Sequence, residues 1–275
     1  MSSKVPYNCA LNLEHFSDPH FSALIKLVFS HLDRSFPDFP NNHELAKVWE
    51  IAQAVRGLGD FGALHPSAKI LGVAAGCEHT VFYLTKFVDC VFATDLYATN
   101  DVWKEADRLM LTKPEAFVAP GLDWDPQRLF VQHMDALDLR FPDHYFDGVF
   151  SCGSIEHFGS VENVAQSARE MARVIRPGGI VCLATEFRIK GDAAEIGVPG
   201  AIMFTPDFLR EHIVEASGLE LVDEPSFTVT PATSASAYPI REAIDQGVRD
   251  RSIALTLDDW MWTSVSLCMR KPAIY

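Results

Sequence analysis

The 275-residue sequence predicts an α/β fold, a Rossmann-like and mostly parallel seven-stranded sheet with helices on both faces. Three observations carry this prediction. Short apolar runs recur with crossover-length segments between them, a glycine-containing turn (74–78) follows the first run, and Asp95 and Asp135 stand at the ends of later runs. Ligands bind at the carboxyl ends of strands in open sheets of this type. We therefore expect a binding site at that edge.

The predicted strands are short and rich in apolar or β-branched residues. They cover residues 70–73, 87–94, 129–132, 148–151, 180–185, 219–222 and 263–269. The last strand is expected to be antiparallel to its neighbours.

Apolar spacing of three and four residues predicts the helices. One covers 21–32, and another follows Asn42 as N-cap and stops at Gly57. A third begins after Ser160 and ends at the Pro177-Gly-Gly segment. Thr205 before Pro206 marks the start of a fourth helix.

Domain organisation follows from where the regular pattern is interrupted. Residues 1–42 mix aromatic residues with prolines and predict an amino-terminal helical cap, and residues 43–275 form the main domain. Within it, residues 225–259 are too long for a turn and predict a lid-like insertion, with a helix over 240–251, before the last strand. The sequence leaves open whether the cap covers its own site or that of a second copy in a homodimer.

Charge and composition exclude several classes of partner. A net charge of −14 and a pI near 5.1 oppose nucleic-acid binding. The sequence shows no secretory signal and no apolar run long enough to cross a bilayer, so we expect a cytoplasmic protein without a membrane partner. No C-x-x-C pair or metal-ligand spacing is present, so we expect buried free thiols and no metal.

The carboxylates at the strand ends are suited to a nucleotide-like cofactor. Asp95 lies nineteen positions after Gly76, where a carboxylate can accept both hydroxyl hydrogens of a ribose. Asp135 can accept from an adenine amino group, with the Ala136 N–H facing a ring nitrogen. The alternatives are a solvated strand-end Asp95 and an ordinary turn residue at Asp135.

Five segments carry a resemblance to a known family. They are the glycine turn 70–77, the strand end 93–96, the segment 133–136, the fourth-strand motif 141–158 and the helix and turn 172–179. Together they resemble the class I S-adenosylmethionine-dependent methyltransferases, particularly the small-molecule members. The resemblance covers about residues 44–222, and 141–179 is its most specific part.

The resemblance implies S-adenosylmethionine as cofactor, S-adenosylhomocysteine as product, and methyl transfer to a small-molecule hydroxyl, for example of a sugar or secondary metabolite. The residues that it places around the cofactor are Gly72, Ala74, Gly76, Glu78, Asp95, Leu96, Asp135, Ala136, Ser151 and Cys152. The family usually has an acidic residue at the position of Gly72 and glycines at Ala74 and Glu78. As a hypothesis, Glu78 pairs with the cofactor's amino group.

His157 and Glu156 are the candidate catalytic residues, because they follow the fourth strand where an acceptor would lie. His157 can act as the base for a hydroxyl, and Glu156 can bind it. The alternatives are a loop histidine that shapes the pocket and a solvated carboxylate. Two other functions stay open on the sequence: a non-catalytic cofactor-binding protein and a nicotinamide-dependent oxidoreductase.

Overall fold

A computed structural model describes residues 3–32, 38–99, 106–242 and 252–273. The helices are Pro19–Val28 (α1), Ala46–Asp60 (α2), His79–Tyr83 (α3), Val161–Val174 (α4), Pro206–Leu209 (α5, continued by the π-helical Arg210–Glu215) and Pro231–Ala235 (α6). The strands are Cys9–Ala10 (β1), Lys69–Val73 (β2), Cys90–Asp95 (β3), Leu129–His133 (β4), Phe146–Cys152 (β5), Ile175–Lys190 (β6), Gly197–Val198 (β7), Ala201–Ile202 (β8), Glu220–Leu221 (β9), Tyr238–Pro239 (β10), Ala254–Leu257 (β11) and Trp260–Arg270 (β12).

The main sheet has the predicted mixed topology. Its order along the main path is β10-β11-β12-β6-β5-β2-β3-β4, and the pairs among β4, β3, β2, β5 and β6 are parallel. β12 runs antiparallel to β6 and also pairs with β9 and β1. All seven predicted strands are present, and β1, β10 and β11 bring the sheet to ten strands within the described ranges.

Alternating side chains of the strands fill two cores, one on each face of the sheet. In β6, Ile180, Cys182 and Ala184 belong to one core, whereas Val181 and Leu183 belong to the other. Helices α1 and α2 cover the first face, and α4 and α5 cover the second. This arrangement follows from the two-residue period of a strand, and it confirms the prediction of helices on both faces.

Helix α4 begins as predicted and ends earlier than predicted. The Ser160 side chain accepts a hydrogen bond from the Asn163 N–H at 3.2 Å, which caps the amino end. The helix stops at Val174, and Ile175 already has extended backbone angles. Pro177-Gly-Gly therefore lies inside β6, where the Gly178 N–H donates to the Lys271 carbonyl at 2.9 Å. The strand pairing of β6, and not the Pro177-Gly-Gly segment, therefore decides where α4 ends.

Both predicted ends of α2 were wrong. Asn42 has a left-handed backbone with φ of 62°, and Leu45 occupies the N-cap position. The helix runs through Gly57 to Asp60 because Gly57 faces the sheet. A Cβ on Gly57 would lie 2.6 Å from Cys182 Sγ and 2.9 Å from Cys268 Sγ, so the glycine permits close approach of helix and sheet.

The amino-terminal segment and the insertion contact each other. Asn12 Nδ2 donates to the Thr228 carbonyl at 2.9 Å, and the Thr230 N–H donates to Asn12 Oδ1 at 2.8 Å. Ahead of Asn12, β1 pairs with β12 and Cys9 is buried. The predicted helix 240–251 lies mostly outside the described residues. No helix in the described part of the chain is long and apolar enough to cross a membrane.

Substitution of Gly57 by alanine tests the close packing of α2. We expect Gly57→Ala to lower the free energy of unfolding by about 1–3 kcal/mol, because the added methyl group overlaps two buried sulfur atoms. Gly59→Ala is the matched control in the same helix. Its Cβ would lie 3.7 Å from Leu64, an ordinary contact, and we expect a gain of about 0.5–1 kcal/mol. Urea unfolding measures both, and equal effects would refute the packing argument.

Candidate functional site

The first wall of the site is the turn after β2. Ala74 and Gly76 both have left-handed backbones, with φ of 48° and 49°. A side chain at Gly72 would force its neighbours to move, because a Cβ there would lie 2.7 Å from Phe150 Cζ and 2.8 Å from Ala75 Cβ. The turn therefore keeps its backbone open to the sheet edge, as close approach of a ligand requires.

Asp95, at the end of β3, is tied to this turn. Its Oδ2 accepts from the Gly76 N–H at 2.9 Å and its Oδ1 from the Leu96 N–H at 2.7 Å. Burial raises the pKa of Asp95 although both N–H groups oppose the rise. The next side chain, Leu96, is 43% exposed at the same edge. The structure thus brings three predicted residues together, and each Asp95 oxygen retains capacity for a further donor.

Asp135 and Ala136 lie one strand further along the same edge. The Met134 N–H donates to the Asp95 carbonyl at 2.9 Å, which places the end of β4 beside the end of β3. Asp135 is exposed, and its Oδ1 accepts from the Leu137 N–H at 2.9 Å, whereas Ala136 is buried. Asp135 therefore makes the ordinary turn contact that the sequence left as an alternative.

The end of β5 forms the opposite wall. Ser151 and Cys152 are buried, and burial raises the pKa of the Cys152 thiol well above its usual range. Ser154 Oγ donates to the Ala74 carbonyl at 2.8 Å. This bond joins the turn after β5 to the turn after β2, so the two turns form one continuous surface.

Helix α2 contributes an ion pair that sequence reasoning missed. Lys47 Nζ lies 3.0 Å from Glu50 Oε2 and 3.2 Å from Glu78 Oε1, and it donates to the Cys152 carbonyl at 2.8 Å. Burial opposes the charge of Lys47, but both carboxylates together raise its pKa well above the usual range. The sequence signal is Glu50 itself, a charged residue between the apolar Trp49 and Ile51.

Glu78 follows the glycine turn at the N-cap position of α3. Oε2 of Glu78 is buried and has no hydrogen-bond partner among the described residues. Burial raises the pKa of Glu78 to about 7, against the opposing effect of Lys47. The carboxyl group is thus close to half protonated at neutral pH.

The candidate catalytic residues lie in the 3-10 turn after β5. Glu156 is buried, accepts from Thr185 Oγ1 at 2.8 Å, and has Oε1 3.8 Å from His157 Nε2. The Nδ1 atom of His157 is 2.8 Å from the Gly200 carbonyl in the β7–β8 hairpin. Since a carbonyl can only accept, Nδ1 carries a proton and Nε2 faces the carboxyl group.

A second acidic residue lies next to this pair. Burial and the neighbouring Glu156 and Glu50 carboxylates raise the pKa of Glu186 well above its usual range, and burial likewise raises that of Glu156. In the parts of the chain that the structure covers, no three His, Cys, Asp or Glu side chains are arranged to hold a metal ion.

Comparisons with known proteins agree with this geometry. A family model described as "Methyltransferase domain" matches residues 71–183. A solved structure described as a putative sarcosine dimethylglycine methyltransferase from Galdieria sulphuraria has a TM-score of 0.55 and 16% identity, over 81% of this chain and 85% of that one. The 4+2-cyclase SpnF has a TM-score of 0.56 and 15% identity, over 93% and 97%. These two likenesses show the fold.

A curated relative matches over a shorter stretch. "Probable tRNA methyltransferase 9B" of Mus musculus is 47% identical over 45 residues, which make up 16% of this chain and 10% of that protein. The matched family model spans β2 to β6, the part of the chain that holds the glycine turn, Asp95 and the Glu156–His157 pair. Residues 71–183 therefore match a methyltransferase domain, and the chain has the fold of the solved structure described as a methyltransferase.

Proposed function

We propose that the protein transfers a methyl group from S-adenosylmethionine to a hydroxyl group of a small-molecule acceptor. The observation that carries the choice of acceptor atom is the pairing of Glu156 with His157, 3.8 Å apart at the carboxyl end of β5. A hydroxyl must lose its proton as it is methylated, and an imidazole beside a carboxyl group can accept that proton.

The described residues fit the cofactor. The open glycine turn and the orphaned Oε2 of Glu78 are suited to the methionine end, Asp95 to the ribose hydroxyls, and Asp135 with Ala136 to the adenine edge. The exposed side chain of Leu96 offers an apolar surface for the base. When bound, the cofactor supplies a methyl group activated on a sulfonium. The protein's contribution is to hold the acceptor in line and to exclude water.

Proton transfer is assigned to His157. Its Nδ1–H is held by the Gly200 carbonyl, so Nε2 presents the lone pair that accepts a proton. The Glu156 carboxyl group, fixed by Thr185, then stabilises the imidazolium. Glu156 is therefore a positioning and charge-balancing residue in this proposal, and His157 is the base.

The acceptor side is assigned to elements outside the central sheet. The β7–β8 hairpin already reaches His157, and the Ser252 carbonyl accepts from the Ala46 N–H at 2.9 Å, next to Lys47. We assign the amino-terminal segment and the 225–259 insertion to the cover of the acceptor, because they are joined through Asn12.

A charged amine is the second candidate acceptor. The carboxyl groups of Glu186 and of the buried Glu50 and Glu156 lie near one another and would favour a cation. The 45-residue match to a protein named as a tRNA methyltransferase would suit a nucleic-acid acceptor, but the charge of −14 opposes it. The fold alone does not decide the reaction, since one similar structure is a cyclase.

Cofactor binding tests the first half of the proposal. We expect Asp95→Asn to weaken S-adenosylmethionine binding about 10- to 100-fold in calorimetric titration, because two charge-assisted hydrogen bonds to the ribose are reduced. Asp123→Asn is the control, since that side chain is 85% exposed and 4.0 Å from Lys86. NAD should not bind. Binding of NAD alone would support an oxidoreductase, and unchanged affinity in Asp95→Asn would remove the ribose assignment.

Acceptor turnover tests the second half. With a hydroxyl acceptor found by screening alcohols and amines, we expect His157→Gln to lower kcat about 10²- to 10⁴-fold without changing cofactor affinity. His65→Gln is the matched control, because His65 pairs with Asp147 at 3.6 Å at the opposite ends of the same strands. Full activity of His157→Gln, or turnover of amines alone, would contradict the hydroxyl mechanism. Failure of every acceptor despite cofactor binding would favour a non-catalytic binding protein.

A further inference from the structure

The end of β2, just before the glycine turn, holds no acidic side chain, and the position of Gly72 is closely packed. A side chain at Gly72 would overlap Phe150 and Ala75. The nearest acidic side chain of the same turn is Glu78, six positions later. It lies at the start of α3, and its Oε2 is buried without a hydrogen-bond partner in the described ranges.

The charges around Glu78 do not balance. Lys47 contacts both Glu50 and Glu78, so one cation faces two carboxylates. A buried carboxylate in this position requires either a proton or a second cation. In the free protein a proton supplies part of the balance, because burial raises the pKa of Glu78 to about 7.

An ammonium group would supply both the hydrogen-bond donor and the positive charge that Glu78 lacks. It would donate to the free Oε2 of Glu78 and supply the second positive charge. Lys47 shows that the surroundings accept such a group, since its own ammonium is bound by two carboxylates and the Cys152 carbonyl.

We propose that Glu78 binds the α-amino group of S-adenosylmethionine and gives up its proton when the cofactor binds. The inference rests on the cofactor site described above and adds a proton balance to it: one proton leaves the Glu78 carboxyl group for solvent, and the cofactor's ammonium takes its place. Glu78 is therefore a cofactor-binding residue that makes affinity depend on pH.

Other ionisable groups face Glu78, and an experiment must distinguish their titration from that of Glu78. They are Lys47 and Glu50 on α2, Asp95 on β3, Tyr97 after β3 and Cys152 on β5. Burial raises the pKa of both Tyr97 and Cys152, so neither ionises below pH 7. Asp95 also has a raised pKa. Two comparisons distinguish among these groups: a variant of Glu78 itself, and a ligand that lacks the α-amino group.

The test is calorimetric titration of the full chain with S-adenosylhomocysteine, in buffers of different protonation enthalpy, between pH 5.5 and 7. In this range the ligand's α-amino group is charged, since such groups have a pKa of about 7.7–8.0. We expect binding to release ~0.9 proton at pH 6, and to be roughly tenfold weaker at pH 5.5 than at pH 7.

Glu78→Gln should abolish both the proton release and the pH dependence of affinity. It should also weaken binding about tenfold or more at pH 7. 5′-Methylthioadenosine, which has the adenosine but no α-amino group, should bind to the wild type without this proton release. If proton release on binding persists in Glu78→Gln but is lost in Glu156→Gln, the proton belongs to Glu156 and the inference is overturned. Equal affinity of Glu78→Gln and wild type would also overturn it, while the proposed function would stand. No binding of S-adenosylhomocysteine at any pH would overturn both.

Stability provides a check that does not depend on the ligand. The folded-state pKa of Glu78, about 7, exceeds the usual 4.5, so the folded protein binds more protons than the unfolded chain between these values. The contribution of Glu78 to stability is therefore full below pH 4.5 and is lost as the pH rises to 7. We expect Glu78→Gln to show a smaller fall in Tm than wild type from pH 5 to 7.5. An identical fall would place the titrating proton elsewhere.

Discussion

The parallel pairing of β2 with β5 is the constraint on which the rest of the site depends. Gly72 pairs with Phe150, and the lack of a side chain at Gly72 leaves room for that ring. With these strands in register, both turns emerge at one edge, where Ser154 bonds the Ala74 carbonyl. The other residues of the candidate site lie around the junction of these two turns. Asp95 contacts it from one side, Lys47 from α2, and the Glu156–His157 pair follows in the next turn.

Local sequence pattern was sufficient to predict the sheet and its edge. Strand residues alternate between two cores, and Ser160 satisfies one free N–H group of α4, so period and capping are encoded within a few residues. Asp95 was predictable for the same reason, because it ends an apolar run. The role of Lys47 was not, since two of its three partners lie 31 and 105 positions away and only the folded chain brings them together.

The errors in α2 have a physical cause of the same kind. Glycine is a poor helix former in isolation, and the sequence alone therefore favours a stop at Gly57. The packing of the helix against Cys182 and Cys268 outweighs that preference, because only a glycine lets the two surfaces meet. Tertiary contact also sets the end of α4, where pairing in β6 begins at Ile175, ahead of the Pro177-Gly-Gly segment.

The pairing of β12 has a consequence for how the chain is made. This strand lies against β6 on one side and against β1, β9 and β11 on the other, and it joins residues 9 and 266 in one register. During synthesis, β1 therefore waits for a partner that is made after the central parallel strands, which can already assemble. The edge of β6 stays unpaired for that interval, and an unpaired strand edge can pair with another chain.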